Sequence, residues 1–245
     1  MLSIFKSTPV VFPIAELLQT DMHSHILPGI DDGAQDEDAS LQLIRGLIAL
    51  GFQRFIATPH IMSDHYPNTP QTIEASASRL KEALANANMD IEIAYAAEYM
   101  LDEAFEEKIH QEPLLKIGED YVLVETMFMA EPSNFSSILF DLQTLNYQPV
   151  VAHPERYHYV FHNIHRAERM KDRGALLQIN ALSLLGYYGK HEKHTAIQLL
   201  EAGLVDFIGT DIHHEKHLKF FNHFSLDRKV IKLLENTPFK NQNVR

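Results

Sequence analysis

The sequence contains no cysteine and no long hydrophobic run, and basic residues are outnumbered by acidic ones. The absence of cysteine from a chain of 245 residues excludes disulfide frameworks, thiolate zinc sites, iron–sulfur clusters and cysteine nucleophiles. It leaves the redox compartment open, because a chain without thiols fits either side of a membrane.

The apolar runs are all short. No stretch approaches the ~18 consecutive apolar residues of a membrane span. The run from Val10 to Ile14 is broken by Pro13 and is too short for the core of a signal peptide. With no targeting or membrane segment, the expectation is a cytoplasmic protein without membrane insertion.

Positive charge is scarce, with 21 Lys and Arg against 33 Asp and Glu and a formal net charge of −12. Because phosphate contacts need lysine and arginine, nucleic acid is not expected as a partner. An anionic substrate would need a local source of positive charge. The chain does contain 15 histidines, and histidine is the commonest metal ligand and a common general base.

Short apolar runs alternate with amphipathic segments along the whole chain. This pattern predicts a parallel α/β architecture, and the length suits one domain, since α/β barrels run to ~250 residues. No glycine-rich loop follows the first run, which argues against a Rossmann fold. The predicted strands are residues 20–26, 52–58, 91–97, 121–126, 149–152, 175–179 and 205–210. The predicted helices are residues 36–50, 69–87, 134–146, 164–173, 192–202 and 225–236.

The predicted domain spans residues 20–238, between an N-terminal extension (1–19) and a polar tail (239–245) that is expected to fray. Residues 61–68 are interpreted as a loop over one end of the sheet.

Metal-type residues terminate nearly every predicted strand. In a parallel barrel the carboxyl ends of the strands open on one face, where the active site lies. His23 and His25 are two residues apart, so on a strand they point to the same side, and Asp211 and His213 repeat that spacing. The candidate ligands at these strand ends are Asp21, His23, His25, His60, Glu98, Glu125, His153, Asp211 and His213. They outnumber the ligands of one ion and predict two or three ions bridged by a carboxylate. Ligands of this kind suit manganese, iron, zinc or magnesium.

A plainer interpretation exists for each residue. A single histidine at a strand end is usually a surface or capping residue. Asp31 and Asp32, beside Gly29 and Gly33, could be simple turn residues, and only one of them is expected to matter. Seven other histidines do not follow a predicted strand in this way and are expected to be solvated: His158, His162, His165, His191, His194, His217 and His223.

The segments DMHSHILPGIDDG, IATPH, AAEYMLDE, VLVET, VVAHPERY, LLQIN and FIGTDIHH occur in this order from residue 21 to about 214. This set resembles the polymerase-and-histidinol-phosphatase (PHP) superfamily, and more closely its bacterial manganese-dependent protein-tyrosine phosphatases of capsule and exopolysaccharide synthesis. The resemblance implies a distorted (β/α)7 TIM-like barrel in a single domain.

The resemblance also implies three metal ions, with manganese as the expected metal. One ion would be held by His23, His25, Glu98 and Asp211. A second would share Glu98 and add Glu125 and His153, and a third would be held by Asp32, His60 and His213.

Arg156 matches the arginine that the family uses on phosphate, and its planar fork suits two phosphate oxygens. A surface salt bridge with Glu155 or a neighbouring residue is the plainer interpretation. The family's second arginine is missing here, and Lys216, His217 and Lys219 are the possible substitutes.

The implied reaction is metal-assisted hydrolysis of phosphotyrosine in a protein, with a bacterial tyrosine kinase as the implied substrate. His60 and Asp211 are candidates for proton transfer. The Cys-x5-Arg loop of the common tyrosine phosphatases is impossible without cysteine. An aromatic mouth is predicted from five loop residues: Tyr66, Phe128, Tyr157, Tyr187 and Tyr188.

Three alternatives stay open. One is another PHP phosphoesterase, acting on histidinol phosphate or a small phosphomonoester. The second is an amidohydrolase, although those enzymes commonly add a lysine at a strand end and no predicted strand here ends in lysine. The third is a non-catalytic metal-binding or scaffolding subunit.

Overall fold

A computed structural model describes residues 14–161, 163–223 and 226–244, and the side chain of His223 is outside this description. Most of the predicted extension (1–13) and the start of the last predicted helix therefore lie outside the described residues. The strands are β1 (Thr20–Ser24), β2 (Arg54–Ala57), β3 (His60–Ile61), β4 (Ile93–Tyr95), β5 (Glu98–Met100), β6 (Tyr121–Glu125), β7 (Gln148–Ala152), β8 (Leu176–Asn180) and β9 (Phe207–Gly209).

Helices follow or separate these strands. They are α1 (Ile14–Leu18), α2 (Glu37–Ala49), α3 (Pro70–Asn86), α4 (Glu103–Lys108), α5 (Phe135–Thr144), α6 (His158–Phe161), α7 (His165–Asp172), α8 (Ala181–Leu185), α9 (Lys190–Glu201), α10 (Glu215–His223) and α11 (Arg228–Asn236). Short 3₁₀ turns cover Pro154–Arg156 and Asn241–Asn243. The predicted start of α3 is confirmed: Thr69 caps it in a capping box, and Pro70 occupies its first turn, where a missing N–H costs nothing.

The strands pair in parallel within two sheets, so the predicted parallel α/β architecture is confirmed. One sheet has the order β1-β2-β4 and the other the order β3-β5-β6-β7-β8-β9. Two strands were not predicted, namely β3 and β5, which follow the second and third predicted runs. Pro59, which has no N–H for a sheet ladder, interrupts the second run just before β3. As a result His60 and Glu98 sit opposite each other in the β3–β5 pair.

The first strand also meets the segment that follows the last one. Ser24 forms a parallel bridge with Ile212, and the His25 N–H donates to the Ile212 carbonyl oxygen at 2.9 Å. The buried Asp21 accepts two bonds from Thr210, from the backbone N–H at 2.9 Å and from the hydroxyl at 2.6 Å. These contacts bring Asp211 and His213 beside His23 and His25.

The buried hydrophobic residues form two clusters: one joins helices to strands, and the other joins strands of both sheets through residues such as Met22, Leu123 and Val150. Strands β6, β7 and β8 are buried along nearly their whole length, as expected for parallel strands covered on both faces. The helix α2 turns Leu43, Ile44 and Leu47 inward. No helix in the described part of the chain is long and apolar enough to cross a bilayer.

The expectation of a frayed tail is wrong for the described residues 239–244. The Asn241 side chain is buried and donates to the carbonyl oxygens of Thr20, at 3.1 Å, and Ile208, at 2.7 Å. It also accepts the Ile208 N–H at 3.1 Å, and Val244 is fully buried. A polar residue that pairs with backbone groups of two strands satisfies their hydrogen bonds, so a polar composition misled the prediction. The other domain limits stay a prediction.

Candidate metal centre and active site

The nine residues that the resemblance assigns to metal ions lie together, although His60 and Glu98 begin β3 and β5 and Asp32 lies in the turn after β1. Their ligand atoms form four groups within which all atoms are no more than 4.8 Å apart. The groups are His25, Asp32, His60 and His213; His23, Glu98 and His153; His23, His25 and Asp211; and His60, Glu98 and Glu125. Each group could hold a metal ion, and together they form what we call the metal centre.

Glu98 occupies the middle of the metal centre. One of its oxygens, Oε2, lies 3.3 Å from His23 Nε2 and 3.1 Å from His60 Nδ1. The other, Oε1, lies 3.0 Å from His153 Nε2. The carboxylate is fully buried and belongs to two of the four groups, as a bridging ligand must.

Several buried atoms of the metal centre have no hydrogen-bond partner. Among the described residues these include both oxygens of Glu98, Oε1 of Glu125 and Nδ1 of His60 and of His153. Buried polar atoms are nearly always hydrogen-bonded, since leaving them unpaired costs free energy. Divalent cations are the partners that carboxylate oxygens and neutral imidazole nitrogens accept without a proton between them, so the donor set fits metal ions.

The geometry does not assign every ligand to a single ion. His60 presents Nδ1 to Glu125 Oε1 at 3.0 Å and Nε2 to Asp32 Oδ1 at 3.5 Å. His213 Nε2 lies at the same 3.5 Å from Asp32 Oδ1. The predicted set of Asp32, His60 and His213 therefore lies together, while His60 also borders the group of Glu98 and Glu125. The division into three sets stays a prediction.

Side chains behind the ligands hold their rings in place. Gln178 Oε1 lies 2.8 Å from His23 Nδ1, and Asp31 Oδ2 lies 2.8 Å from His25 Nδ1. Each contact leaves Nε2 of the ring facing the metal centre, as second-layer partners of metal-bound histidines do. Only one of Asp31 and Asp32 was expected to matter, but the structure brings both to the metal centre. Asp31 contacts the His25 ring from behind, and Asp32 lies near His60 and His213.

Sequence reasoning missed Gln178 and gave no role to Asn180. Asn180 Nδ2 donates to Asp211 Oδ2 at 2.6 Å. Both residues lie on β8, two positions apart, and therefore on the same side of the strand. This two-residue spacing at a strand end was the sequence signal that could have identified both residues.

Backbone geometry at two ligands is strained. His153 and Asp211 have φ values of 34° and 52°, in the left-handed region that non-glycine residues rarely adopt. Such strain persists only where the surroundings enforce it, and it concentrates at functional sites. Here it turns both side chains into the metal centre directly after β7 and β9.

Gly209 gives the His23 ring its space. A Cβ at this position would lie 2.5 Å from the His23 Cβ and 3.0 Å from Gln178 Nε2. Because only glycine leaves this gap, the contact between His23 and Gln178 depends on the last residue of β9.

Arg156 reaches the metal centre from the turn after β7. Its Nη1 donates to Asp211 Oδ2 at 3.0 Å, and its guanidinium carbon lies 4.8 Å from the Phe128 ring centre and 4.3 Å from that of Tyr188. A guanidinium between two aromatic faces gains cation–π attraction and a fixed orientation. The plainer interpretation, an ion pair with Glu155, is not what the structure contains. Glu155 is buried and accepts from the Asn180 N–H and the Ser183 hydroxyl.

Of the three possible substitutes for a second arginine, only His217 lines the cavity. Lys216 is exposed and Lys219 pairs with Glu215 at 2.9 Å. The expectation that His217 is solvated is wrong: it is 5% exposed and packs edge-on against Tyr187. Burial, followed by the neighbouring His214 and His213, lowers the pKa of His217 to about 3. His217 is therefore neutral at pH 7.

The other histidines set aside above are at the surface where the structure describes them. His158, His165, His191 and His194 are exposed, as predicted. His162 and the side chain of His223 lie outside the described residues.

A cavity of about 750 Å³ opens over the metal centre. Tyr66, Phe128, Tyr187 and Tyr188 line it, as the predicted aromatic mouth requires. Tyr157 does not, so that part of the prediction is wrong. Its ring is buried and its hydroxyl accepts the Thr126 N–H at 3.1 Å, which makes it a support beneath the cavity wall.

Charges within the metal centre shift its pKa values strongly. Burial lowers the pKa of His23, but Glu98 and Asp211 outweigh burial and raise it to about 9. Burial raises the pKa of Asp211, but His23 and His213 reverse this and hold it well below its usual value. In the absence of metal, His23 therefore pairs as an imidazolium with the carboxylates of Glu98 and Asp211.

This pairing predicts how the stability of metal-free protein depends on pH. His23 titrates near 6.5 when unfolded and near 9 when folded, so its contribution is complete below pH 6.5 and is lost as the pH rises through 9. We expect the Tm in excess chelator to fall by roughly 5 °C between pH 6.5 and 9.5. Thermal unfolding followed by circular dichroism measures this.

Two controls sharpen the pH experiment. His23→Gln should flatten the decline, whereas His194→Gln, at an exposed position, should keep it. Excess manganese should stabilise the protein increasingly as the pH rises, because protons compete with the metal for imidazole. A Tm that is constant or rises in chelator would contradict the assigned pairing.

Comparison with known proteins identifies similar chains. The family described as capsular polysaccharide synthesis, CpsB/CapC, matches residues 19–219. Tyrosine-protein phosphatase YwqE of Bacillus subtilis (strain 168) is 32% identical over 201 residues, which cover 82% of this chain and 79% of that protein. The putative tyrosine-protein phosphatase CapC of Staphylococcus aureus is 27% identical over 194 residues, covering 79% and 76%.

A solved structure is also similar over nearly the whole chain. It comes from work on YwqE from Bacillus subtilis and CpsB from Streptococcus pneumoniae, described there as unique metal-dependent tyrosine phosphatases. The TM-score is 0.77 at 29% sequence identity, with 91% of this chain and 94% of the other covered.

Proposed function

Because the chain belongs to the CpsB/CapC family of capsular polysaccharide synthesis, we propose that it is a metal-dependent protein-tyrosine phosphatase. The observation that carries the proposal is the buried Glu98 carboxylate, surrounded by histidines and without a hydrogen bond to either oxygen. A carboxylate in this position fits a bridging metal ligand. The relatives named as tyrosine-protein phosphatases supply the substrate class.

The proposed centre holds three divalent ions, with manganese as the expected metal and iron, zinc or magnesium as alternatives. The first set is His23, His25, Glu98 and Asp211, the second Glu98, Glu125 and His153, and the third Asp32, His60 and His213. Bound ions would supply Lewis acidity and neutralise phosphate charge, which the net charge of −12 would otherwise repel.

Arg156 is the proposed phosphate-binding residue. Its Nη1 is bound to Asp211, and the rings of Phe128 and Tyr188 flank the guanidinium. The remaining N–H groups of the fork are suited to two phosphate oxygens, where charge builds up in the transition state.

His60 and Asp211 are both proposed catalytic residues. Their contacts support His60 as the residue that transfers a proton. Asp211 accepts from Arg156 and Asn180 and has a pKa well below its usual value, so it holds Arg156 in place and remains ionised. His60 lines the cavity, and its ring stacks on Tyr66. The phenolate of tyrosine has a conjugate-acid pKa near 10, so it leaves with little need of a strong general acid.

The rings of Tyr66, Phe128 and Tyr188 are proposed to contact the phosphotyrosyl ring. Their place in the cavity lining suits a flat apolar group whose phosphate reaches the metal centre.

We also propose that the two sheets close into a distorted (β/α)7 barrel. The bridge from Ser24 to Ile212 joins the first strand to the segment after β9. Strands β2 and β3, and likewise β4 and β5, would each be one interrupted barrel strand. A phosphorylated bacterial tyrosine kinase that controls polysaccharide synthesis is the proposed partner, met in the cytoplasm.

The test is hydrolysis of a phosphotyrosine peptide with elemental analysis of the same protein. Chelation should abolish hydrolysis and manganese should restore it, with three metal ions per chain at full activity. The rate on the peptide should exceed that on histidinol phosphate by at least about tenfold in kcat/KM. Faster hydrolysis of histidinol phosphate would favour the other phosphoesterase, and full activity of metal-free protein would overturn the proposal.

A further inference from the structure

Three consecutive apolar side chains stand exposed at the edge of the cavity. Met127 is 66% exposed, Phe128 40% and Met129 70%, directly after the buried Thr126 that follows β6. All three line the same cavity as Arg156 and His153. We call Met127–Met129 the apolar lip.

The backbone of the apolar lip is fixed by hydrogen bonds. The Phe128 carbonyl oxygen accepts the His158 N–H at 2.8 Å, and the Met127 carbonyl oxygen accepts the Thr126 hydroxyl at 3.3 Å. The Thr126 N–H in turn donates to the hydroxyl of the buried Tyr157 at 3.1 Å. The two methionines are therefore held outward by an anchored turn.

Exposed apolar side chains beside a polar site indicate a binding surface. Contact between such a surface and water is unfavourable, so covering it with another apolar group stabilises the complex. Methionine is unbranched and polarisable, so it fits apolar partners of varied shape. The rest of the cavity edge includes the exposed carboxylate of Asp64, which would repel acidic side chains.

The lip also lies where the neighbours of a bound phosphotyrosine would be. Phe128 sits 4.8 Å from the Arg156 guanidinium, next to the place proposed for the phosphotyrosyl group, and Met127 and Met129 are its two neighbours. Successive residues of a substrate are 3.8 Å apart at Cα, so with the phosphotyrosine held beside Phe128, the adjacent residue would come within reach of Met127 or Met129.

We propose that Met127 and Met129 bind an apolar side chain adjacent to phosphotyrosine, so that the enzyme selects peptides with apolar flanks. This inference rests on the proposed phosphatase function. It assigns specificity to the apolar lip, while phosphate binding remains with Arg156 and the metal centre.

The test compares two phosphotyrosine peptides of equal length, flanked on both sides by leucine in one and by serine in the other. Manganese-loaded wild type should show a kcat/KM about tenfold higher for the leucine peptide, a ratio expected from burying one apolar side chain. Met127→Gln/Met129→Gln keeps the length of both side chains and should reduce the ratio to about twofold or less. Phe140→Gln is the matched control, since Phe140 is 68% exposed on α5 and should leave the ratio unchanged.

Three results would overturn the inference. The first is equal kcat/KM for both peptides in wild type. The second is a preference that survives in the double variant. The third is a wild-type dimer that dissociates in the double variant during size-exclusion chromatography, because a second copy would then be what covers the lip. If manganese-loaded wild type hydrolyses neither peptide nor free phosphotyrosine, the proposed function itself fails and this inference with it.

Discussion

Glu98→Gln is expected to lower kcat/KM on a phosphotyrosine peptide by about 10³-fold or more. Glutamine has nearly the same shape, but it presents one neutral oxygen where the carboxylate presents two charged ones. Oε2 lies near His23 and His60, and Oε1 lies near His153. The glutamine amide has only one acceptor oxygen, so it cannot replace the carboxylate on both sides. Steady-state kinetics in excess manganese and elemental analysis of the same samples measure the loss.

The matched control is Glu103→Gln, the same chemical change at an exposed position of α4. It should retain both metal and activity. If Glu98→Gln retains its full metal content and activity, Glu98 is not a bridging ligand and the proposed centre is wrong.

Replacement of Arg156 should reduce kcat/KM nearly as much. Arg156→Met removes the positive charge and the fork, and a loss of about 10²–10³-fold is expected from one missing transition-state donor. Arg156→Lys restores charge without two parallel donors and should recover only part of the loss.

Arg169→Lys, at an exposed position of α7, serves as the control and should keep wild-type kinetics. Metal content separates the two roles of Arg156, because this residue also binds Asp211 at 3.0 Å. A loss of activity in samples that retain their metal supports a role on the phosphate. Wild-type kinetics in Arg156→Met would exclude that role.

The proposed ligand positions could be predicted from the sequence for a simple physical reason. Residues at the carboxyl ends of parallel strands share one edge, whatever their separation along the chain. The two-residue spacing of His23 and His25 fixes a common side of the strand. Neither inference needs knowledge of side-chain packing, so both could be made in advance.

Features that depend on packing could not. The supporting roles of Asp31 and Gln178 follow from which ring nitrogen faces inward, and the burial of His217 follows from its contact with Tyr187. Tyr157 was misassigned because a loop aromatic can face the cavity or support it from below. The Asn241 contacts connect residues about 220 positions apart, which no local pattern encodes.

The junction between the first strand and the segment after the last has a consequence for biosynthesis. Asp21 and Thr210, which bond to each other, are 189 positions apart, so during synthesis β1 waits for a partner that is added 189 residues later. Contacts of such long sequence separation form late and slowly. The ligands from His23 to His213 are spread over the same interval, so nascent chains expose an incomplete ligand set. A complete ligand set for the proposed metal centre would therefore exist only after His213 has been synthesised.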